Sequence, residues 1–247
     1  MKAAARVAGS QMLVGVGVGT PAVGVLAGPY HRLHAGTLRG RPLSFRTTPA
    51  HTRTIACRLG GITVTSFTDR PRTALLVIDV QEDVMAGAWQ STEVVSRIAA
   101  LVDRARTAGT PVVWVRHQDE YLRPDSPPWQ IVAALHPSAR EPIVEKRFRS
   151  AFEDTDLEPV LDLLDVGRLV VCGAQSDFCV RHTIHAALEK GYDVALASDA
   201  HTTTDAEIDG VTIPAELIVA QQNNATREYA LPGRASSIAT HDQICVS

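Results

Sequence analysis

The 247-residue chain lacks the glycine-rich sequences that hold nucleotide phosphates. No Gly-x-Gly-x-x-Gly follows an apolar segment and there is no Walker loop, so nothing in the sequence indicates a nucleotide cofactor. No apolar run approaches the ~20 residues that a membrane-spanning helix needs. We therefore expect a protein that needs no organic cofactor and does not span a membrane.

Cysteine is scarce, and its four positions are irregularly spaced: Cys57, Cys172, Cys179 and Cys245. This spacing matches neither a disulfide framework nor a zinc-binding pattern. Such a pattern is typical of a reducing compartment, so we expect a cytoplasmic location. The hydrophobic content of 45% over this length is enough for one sizeable core.

Acidic residues are absent from the first part of the chain. No Asp or Glu precedes Asp69, whereas eight Lys and Arg residues do, which leaves 16 basic against 27 acidic residues in the remainder. The basic residues are too sparse for an arm that binds nucleic acid. Lys2 and Arg6 precede a Val/Gly stretch, so a signal peptide is the weaker alternative for this segment, because glycine interrupts the stretch often. We interpret residues 1–68 as a non-core N-terminal extension and residues 69–247 as one folded domain.

In the second region, strand-like and helical segments alternate. Strands are predicted at Ala74–Asp79, Pro111–Arg116, Ile143–Glu145, Leu169–Cys172, Asp193–Ser198 and Ser236–Ala239, and helices at Thr92–Ala108, Asp156–Leu164, Asp177–Lys190 and Pro214–Asn223. This order predicts an α/β fold with an open parallel sheet covered by helices on both faces. Such a Rossmann-like three-layer sandwich has its crevice at the carboxyl edge of the sheet.

Two charged residues follow predicted strands. The continuous apolar run before Asp79 is typical of a central parallel strand, and a carboxylate at its end is costly unless it is paired or functional. Lys146 lies just past a shorter strand, where a solvated surface lysine is the alternative. Because ligands of open parallel sheets bind outside the carboxyl ends of the strands, both residues are candidates for one site.

Cys179 follows a third strand, in the sequence VVCGAQSDFCV. The helix-capping types Ser176 and Asp177 precede a predicted helix that ends at Lys190. Cys179 is therefore expected in a first helical turn, where the helix dipole lowers the pKa of a thiol and free amides hold an oxyanion. A small buried hydrophobe is the alternative for any cysteine, and Cys172, inside the strand, fits that alternative.

A carboxylate, an ammonium and a thiol at one sheet edge are the parts of a nucleophilic hydrolase. From about residue 72 to 245 the chain resembles the isochorismatase-like cysteine hydrolases, which include nicotinamidases, N-carbamoylsarcosine amidases and streptothricin hydrolase. The resemblance rests on LLVIDVQ, VEKRFRSAFEDTDLEPVL and VVCGAQSDFCVRHTIHAALEKGYDVALASDAHTT. It implies Cys179 as the nucleophile, Asp79 as the general base and acid, and Lys146 as the third member of a triad. It also implies a cis Ala174–Gln175 bond, with the backbone amides of Gln175 and Cys179 as the oxyanion hole.

Metal binding is not expected. Nicotinamidases carry an Asp-x-His and further histidines after the second strand, and the corresponding sequence VVWVRHQDEYLRPD lacks that pattern. A metal needs three or four ligands, so we predict no catalytic metal and disfavour nicotinamidase activity. His117 is a candidate for the substrate pocket or for a structural role. Trp129, Phe152 and Phe178 are candidates for pocket walls, with core packing as the alternative.

The resemblance implies hydrolysis of an amide, lactam or ureido C–N bond in a small molecule through a thioester, as a streptothricin-hydrolase-like enzyme would perform. The family sequence DVQNDF is DVQEDV here, so the pocket differs at Glu82 and Val84. Two alternatives stay open: an isochorismatase that cleaves a vinyl ether, which lacks the cysteine, and a catalytically idle binding subunit. We expect a homodimer or homotetramer whose ligand is a small molecule.

Overall fold

The computed structural model of the chain describes residues 66–247, so residues 1–65 of the predicted N-terminal extension lie outside the described residues. Within this range, strands and helices alternate along most of the chain. They are β1 (Arg72–Ile78), α1 (Glu82–Met85), α2 (Ser91–Ala108), β2 (Val112–His117), β3 (Ile143–Lys146), α3 (Leu157–Leu163), β4 (Val166–Ala174), α4 (Arg181–Lys190), β5 (Asp193–Thr202), β6 (Ala206–Ile208), β7 (Val211–Ile213), α5 (Ala215–Glu228) and β8 (Ser236–Ala239).

Six strands form one parallel sheet in the order β3-β2-β1-β4-β5-β8. The chain builds outward from β1 through β2 to β3, then returns to place β4 on the other side of β1. In open parallel sheets the ligand-binding crevice lies where the strand order reverses in this way. The predicted fold class is confirmed, and the residues that follow β1 and β4 lie beside that crevice.

Helices cover both faces because β1 is apolar on both. Ala74, Leu76 and Ile78 pack in one core with side chains of α3 and α4. Leu75 and Val77 point to the opposite face and pack with side chains of α2. A strand buried on both sides needs an apolar run without polar alternation, which is the pattern that this segment shows. No helix of residues 66–247 is long and apolar enough to cross a membrane.

Gly173 brings the carboxyl ends of β4 and β1 together. Its φ is +121°, and a Cβ atom built on it would lie 2.0 Å from the carbonyl oxygen of Ile78. Both the backbone conformation and this close approach require glycine. As a result Asp79, which follows Ile78, lies beside the turn that leaves β4.

The structure differs from the predicted elements in several places: α1 is an additional short helix, β4 and β5 are longer than predicted, and two further differences concern the nucleophile helix and a hairpin. The helix expected over Asp177–Lys190 begins as a single π-helical turn, Ser176–Val180, and only then continues as α4. The antiparallel β6–β7 hairpin is additional to the predicted strands. Its strands have three residues each and are largely exposed, so they lack a core pattern. The Asp209-Gly210 dipeptide, with positive φ at both residues, is the signal that indicates such a hairpin.

Candidate active site

Three elements bring Asp79, Lys146 and Cys179 together at the carboxyl edge of the sheet. Asp79 follows β1, Lys146 ends β3, and Cys179 lies in the π-helical turn after β4. The Nζ atom of Lys146 is 2.7 Å from Oδ2 of Asp79 and 3.1 Å from Sγ of Cys179. A cation therefore bridges a carboxylate and a thiol.

The side chain of Lys146 is fully buried, with 0% exposure. Besides Asp79 and Cys179, its ammonium donates to the carbonyl oxygen of Phe148 at 3.1 Å and lies 3.2 Å from Nδ1 of His117. Burial alone would lower the pKa of Lys146, but the opposing Asp79 and Cys179 outweigh it and raise that pKa. Lys146 is thus a permanent cation of the site, because the paired ammonium is favoured over the neutral amine.

Asp79 is buried, with 1% exposure. Its backbone N–H donates to the carbonyl oxygen of Val115 at 2.9 Å, which fixes the residue against β2. Its carboxylate contacts Lys146 and interacts with the Cys179 thiol, and it has no further side-chain hydrogen bond within residues 66–247. A carboxylate with so few partners, beside a thiol, is placed to exchange a proton with it.

The thiol of Cys179 is protonated rather than ionised at neutral pH. Burial first, and the charge of Asp79 second, raise its pKa to about 12. Lys146 acts in the opposite direction and offsets only part of this rise. Lys146 does favour the thiolate, but burial and Asp79 outweigh it, so the lowered thiol pKa expected at the helix start is not found in the resting site. The physical reason is that the free energy lost when a thiolate leaves water exceeds the attraction of one nearby cation. The Asp79 carboxylate beside the sulfur disfavours the thiolate further.

The backbone that precedes Cys179 has the arrangement implied by the resemblance. The Ala174–Gln175 peptide bond is cis. The amides of Phe178 and Val180 both donate to the carbonyl oxygen of Gln175 at 3.1 Å, which closes the π-helical turn. The Gln175 N–H makes no hydrogen bond within residues 66–247, so this donor is left for a ligand.

Side chains from the end of β5 fix the same turn. Oγ of Ser176 lies 2.8 Å from Nδ1 of His201, and Oγ1 of Thr203 donates to the Asp177 carboxylate at 2.7 Å. Nε2 of His201 lies 3.1 Å from Oδ1 of Asn223. Because that amide oxygen can only accept, the His201 proton is on Nε2, and Ser176 donates to Nδ1. Burial lowers the pKa of His201 to about 4, so the ring is neutral and holds this chain of hydrogen bonds at physiological pH.

Cys179 opens into a cavity of about 420 Å³, here called the reaction cavity. Its lining combines apolar, acidic and basic side chains with the nucleophile and its partners: Asp79, Asp83, Val84, His117, Asp119, Leu122, Arg149, Gln175, Phe178 and Cys179. A volume of this size accommodates a small organic molecule.

Two of the predicted pocket residues, His117 and Phe178, line the reaction cavity. An ammonium cannot accept, so Nδ1 of His117 does not donate to Lys146, which is consistent with a ring proton on Nε2. That nitrogen lies 3.4 Å from the Asp119 carboxylate. Burial, and then the charge of Lys146, lower the pKa of His117, which is consistent with a neutral ring.

The other two predicted pocket residues lie outside that lining. Trp129 is buried, and the guanidinium of Arg116 stacks on its ring at 3.4 Å. Phe152 packs in the core against Tyr192, with ring centroids 5.6 Å apart. Both side chains are buried and pack against neighbours, which fits the core-packing alternative.

Sequence reasoning missed three residues that support the site. The amide of Gln81 is fully buried and bonds both the N–H and the carbonyl oxygen of His117, which fixes the end of β2. His201 holds the turn of the nucleophile, and Arg149 lines the reaction cavity. Gln81 lies within the DVQEDV motif, but contacts with residues so distant in sequence leave no periodic signal.

Among residues 66–247, no group of three or more His, Cys, Asp and Glu side chains is arranged to hold a metal ion. The histidines near the nucleophile have other contacts. His117 interacts with Lys146 and Asp119, and His201 with Ser176 and Asn223.

The chain matches one family model and is similar in sequence to several known proteins. A family model described as the isochorismatase domain matches residues 73–211. The chain is 36% identical over 164 residues to a streptothricin hydrolase of Streptomyces noursei, and this match covers 64% of the chain and 59% of that protein. It is 40% identical over 73 residues to an N-carbamoylsarcosine amidase of Arthrobacter sp, covering 30% of the chain and 28% of the amidase.

A solved structure shares the fold. An isochorismatase from Pseudomonas putida KT2440 superposes with a TM-score of 0.64 and 29% identity, and the match covers 70% of this chain and 90% of that one. The chain spans 59% and 66% of the length of two streptothricin hydrolases of Streptomyces noursei that it matches.

Proposed function

The chain belongs to the isochorismatase family of hydrolases, and on that premise we propose that it hydrolyses an amide, lactam or ureido C–N bond of a small molecule. The proposed intermediate is a thioester on Cys179. The observation that carries the proposal is the buried Lys146 ammonium, which contacts both the Asp79 carboxylate and the Cys179 sulfur. The relatives named streptothricin hydrolase and N-carbamoylsarcosine amidase support chemistry at a C–N bond.

Acylation begins with proton transfer from the Cys179 thiol to the Asp79 carboxylate. The thiolate forms a bond to the substrate carbonyl carbon, and the carbonyl electrons move to oxygen. Backbone N–H groups of Gln175 and Cys179 donate to that oxyanion, whose charge develops only as the bond forms. Protonated Asp79 gives its proton to the substrate nitrogen, the C–N bond breaks, and the amine leaves a thioester.

Deacylation uses the same groups, with water in place of the thiol as the attacking group. Asp79, again a carboxylate, takes a proton from water, and the resulting hydroxide attacks the thioester carbon. The carbon–sulfur bond breaks, the acid is released, and Asp79 returns its proton to the sulfur. In a lactam the amine stays attached to the acid, so the product is an opened ring.

The raised pKa of Cys179 supports a general base. Because burial and Asp79 hold the sulfur as a thiol, the nucleophile has to lose its proton during attack. Lys146 has a separate role, since its fixed positive charge favours the thiolate as soon as the proton moves to Asp79. Val84 lines the reaction cavity and is a position where this sequence differs from the family motif, so the substrate has to be identified by experiment.

The test is a screen of small amides, ureides and lactams for amine release, or for ring opening in the lactams. We expect turnover by the wild-type chain, loss of it in Cys179→Ala, and retention in Cys172→Ser, whose thiol is buried inside β4. Substrate should also protect Cys179 from iodoacetamide. Turnover that survives Cys179→Ala would contradict the proposal, and binding without turnover by any amide would favour an idle binding subunit.

A further inference from the structure

The charged side chains that line the reaction cavity differ in whether they are paired. Asp79 pairs with Lys146, and Asp119 lies 3.4 Å from His117. Arg149 and Asp83 have no ion pair within residues 66–247, although both line the same cavity as Cys179. An unpaired charge in a cavity that holds the nucleophile is available to the ligand.

Arg149 is held in place, whereas Asp83 is not. The guanidinium carbon of Arg149 lies 4.3 Å from the centroid of the Phe178 ring, and Phe178 directly precedes Cys179. Stacking on a ring face fixes the plane of a guanidinium and leaves its in-plane N–H donors free. Both residues are exposed, but Asp83, on α1, makes no comparable contact.

Two carboxylates near this guanidinium differ in charge balance, because Lys146 neutralises Asp79 whereas Asp119 stays ionised beside a neutral His117. Oδ1 of Asp119 accepts from the backbone N–H groups of Tyr121 and Leu122, and these hydrogen bonds hold the pKa of Asp119 below its usual value. Its other oxygen faces His117. The charge of Asp79 is matched by Lys146. Among the residues that line the reaction cavity, Arg149 supplies the cationic side chain, and no ion pair within residues 66–247 occupies its N–H donors.

We propose that Arg149 binds a carboxylate of the substrate, so that the substrate is a small amide, lactam or ureide that also carries a carboxylate group. This inference rests on the proposed function, because it assigns a substrate class to the same site. The guanidinium presents two parallel N–H donors, which match the two oxygens of a carboxylate. Binding there would place the carboxylate on the Phe178 side of the cavity, next to the sulfur.

The test uses three alkylating agents of different charge, so that no substrate has to be known. Iodoacetate is anionic, iodoacetamide is its neutral counterpart of similar size, and 2-bromoethylamine is cationic. The quantity measured is the ratio of alkylation rates at Cys179 for iodoacetate against iodoacetamide, with the modified residue identified by mass spectrometry. In Arg149→Met, which keeps an apolar stem over Phe178, we expect this ratio to fall about tenfold or more, the usual effect of losing one charge-assisted contact.

Arg147→Met is the matched control, because Arg147 is an exposed arginine two residues earlier that does not line the reaction cavity. Its ratio should equal that of the wild type. Arg149→Lys, which keeps the charge without the planar fork, should give an intermediate ratio. Thermal denaturation of each variant checks that the fold is retained.

A ratio that stays unchanged in Arg149→Met would overturn the inference. So would a wild-type preference for 2-bromoethylamine that disappears in Asp83→Asn, because the cavity would then select an amine. Failure of Cys179 to react with any agent faster than the buried Cys172 would overturn the proposed function and the inference with it. Once an amide substrate is known, Arg149→Met should raise KM for a carboxylate-bearing amide by a larger factor than KM for its uncharged analogue.

Discussion

Nζ of Lys146 lies 2.7 Å from Oδ2 of Asp79, and both side chains are buried, with exposures of 0% and 1%. A buried ion pair is costly to break from one side, because the remaining charge is left without a partner. Here the pair also touches the Cys179 sulfur, so each of its charges acts on the thiol. The two charges act in opposite directions, which makes their roles separable by experiment.

Lys146→Met and Asp79→Asn should shift the pKa of Cys179 in opposite directions. Lys146 lowers that pKa and Asp79 raises it, so the thiol pKa should rise in Lys146→Met and fall in Asp79→Asn. The measurement is the rate of Cys179 alkylation by iodoacetamide as a function of pH. Asp79→Asn should therefore react faster than wild type at mildly alkaline pH while losing turnover, because it lacks the base.

The double variant Asp79→Asn/Lys146→Met removes both charges and serves as the control for folding. It should be more stable than Lys146→Met alone, since no unpaired carboxylate stays buried. A thiol pKa that is unchanged or lower in Lys146→Met would show that the lysine does not act on the sulfur.

The two cysteines near the site should separate activity from stability. Cys179→Ala should lower turnover by several orders of magnitude without unfolding the chain, because the residue is at the cavity and not in the core. Cys172→Ser should cost about 1–3 kcal/mol of stability, since its hydroxyl is placed in a fully buried strand, and should retain activity. Urea unfolding and amine release measure the two effects. Lost turnover in Cys172→Ser, with activity retained in Cys179→Ala, would show that Cys179 is not the nucleophile.

Gly173→Ala should disrupt the active site from within the sheet. Its Cβ would lie 2.0 Å from the Ile78 carbonyl oxygen, so β4 and β1 have to move apart next to Asp79. We expect a loss of stability of several kcal/mol, typical of overpacking combined with backbone strain. Gly87→Ala is the control, since its φ is also positive but nothing lies within 4 Å of the added atom. Similar losses in both variants would mean that strain alone, and not the close approach, decides the effect.

The sequence predicts the sheet and the triad for the same reason. Asp79 and Cys179 follow apolar strands and Lys146 ends a third strand, and parallel strands place their carboxyl ends at one edge. The charge state of Cys179 was not predictable in this way. It depends on burial and on the distance to Asp79, and both are set by the packing of strands far apart in the chain.

Pocket walls were predicted less well than strand ends. Trp129 and Phe152 are aromatic residues near the motifs, but the composition of a segment does not say which ring face a neighbour covers. Arg116 covers Trp129, and Tyr192 packs against Phe152. His201 had no signal at all, since its partner Ser176 belongs to a different element.

The boundary of the catalytic domain should lie a few residues before Asp69. The Ser66 N–H donates to the carbonyl oxygen of Gly191 at 3.2 Å, and the rings of Phe67 and Tyr192 lie 4.8 Å apart. A chain that begins at Ser66 should therefore be more stable than one that begins at Asp69, by about 1 kcal/mol for the aromatic pair. Both should retain turnover.

Phe67→Ala in the full chain is the control for this comparison, and thermal unfolding is the measurement. It should reproduce most of the difference between the two truncated chains. Equal stability of the two truncated chains would place the boundary at Asp69, as the sequence predicts.

The buried His201 should make the protein less stable in mild acid. Burial lowers its pKa from the ordinary 6.5 to about 4 in the folded chain. Between these two values the unfolded chain binds a proton at His201 and the folded chain does not, so stability rises with pH over this window. Lowering the pH from neutral towards 4 should cost up to about 3 kcal/mol from this residue.

Urea unfolding at several pH values between 4 and 7 measures this effect, and the slope of stability against pH is compared rather than its absolute value. His201→Asn should flatten the slope, because an amide does not titrate, even though the variant loses part of the hydrogen-bonded chain to Ser176. His182→Asn, at an exposed histidine on α4, is the matched control and should leave the slope as in the wild type. If His201→Asn keeps the wild-type slope, the acid sensitivity arises from other groups and His201 is not held neutral by burial.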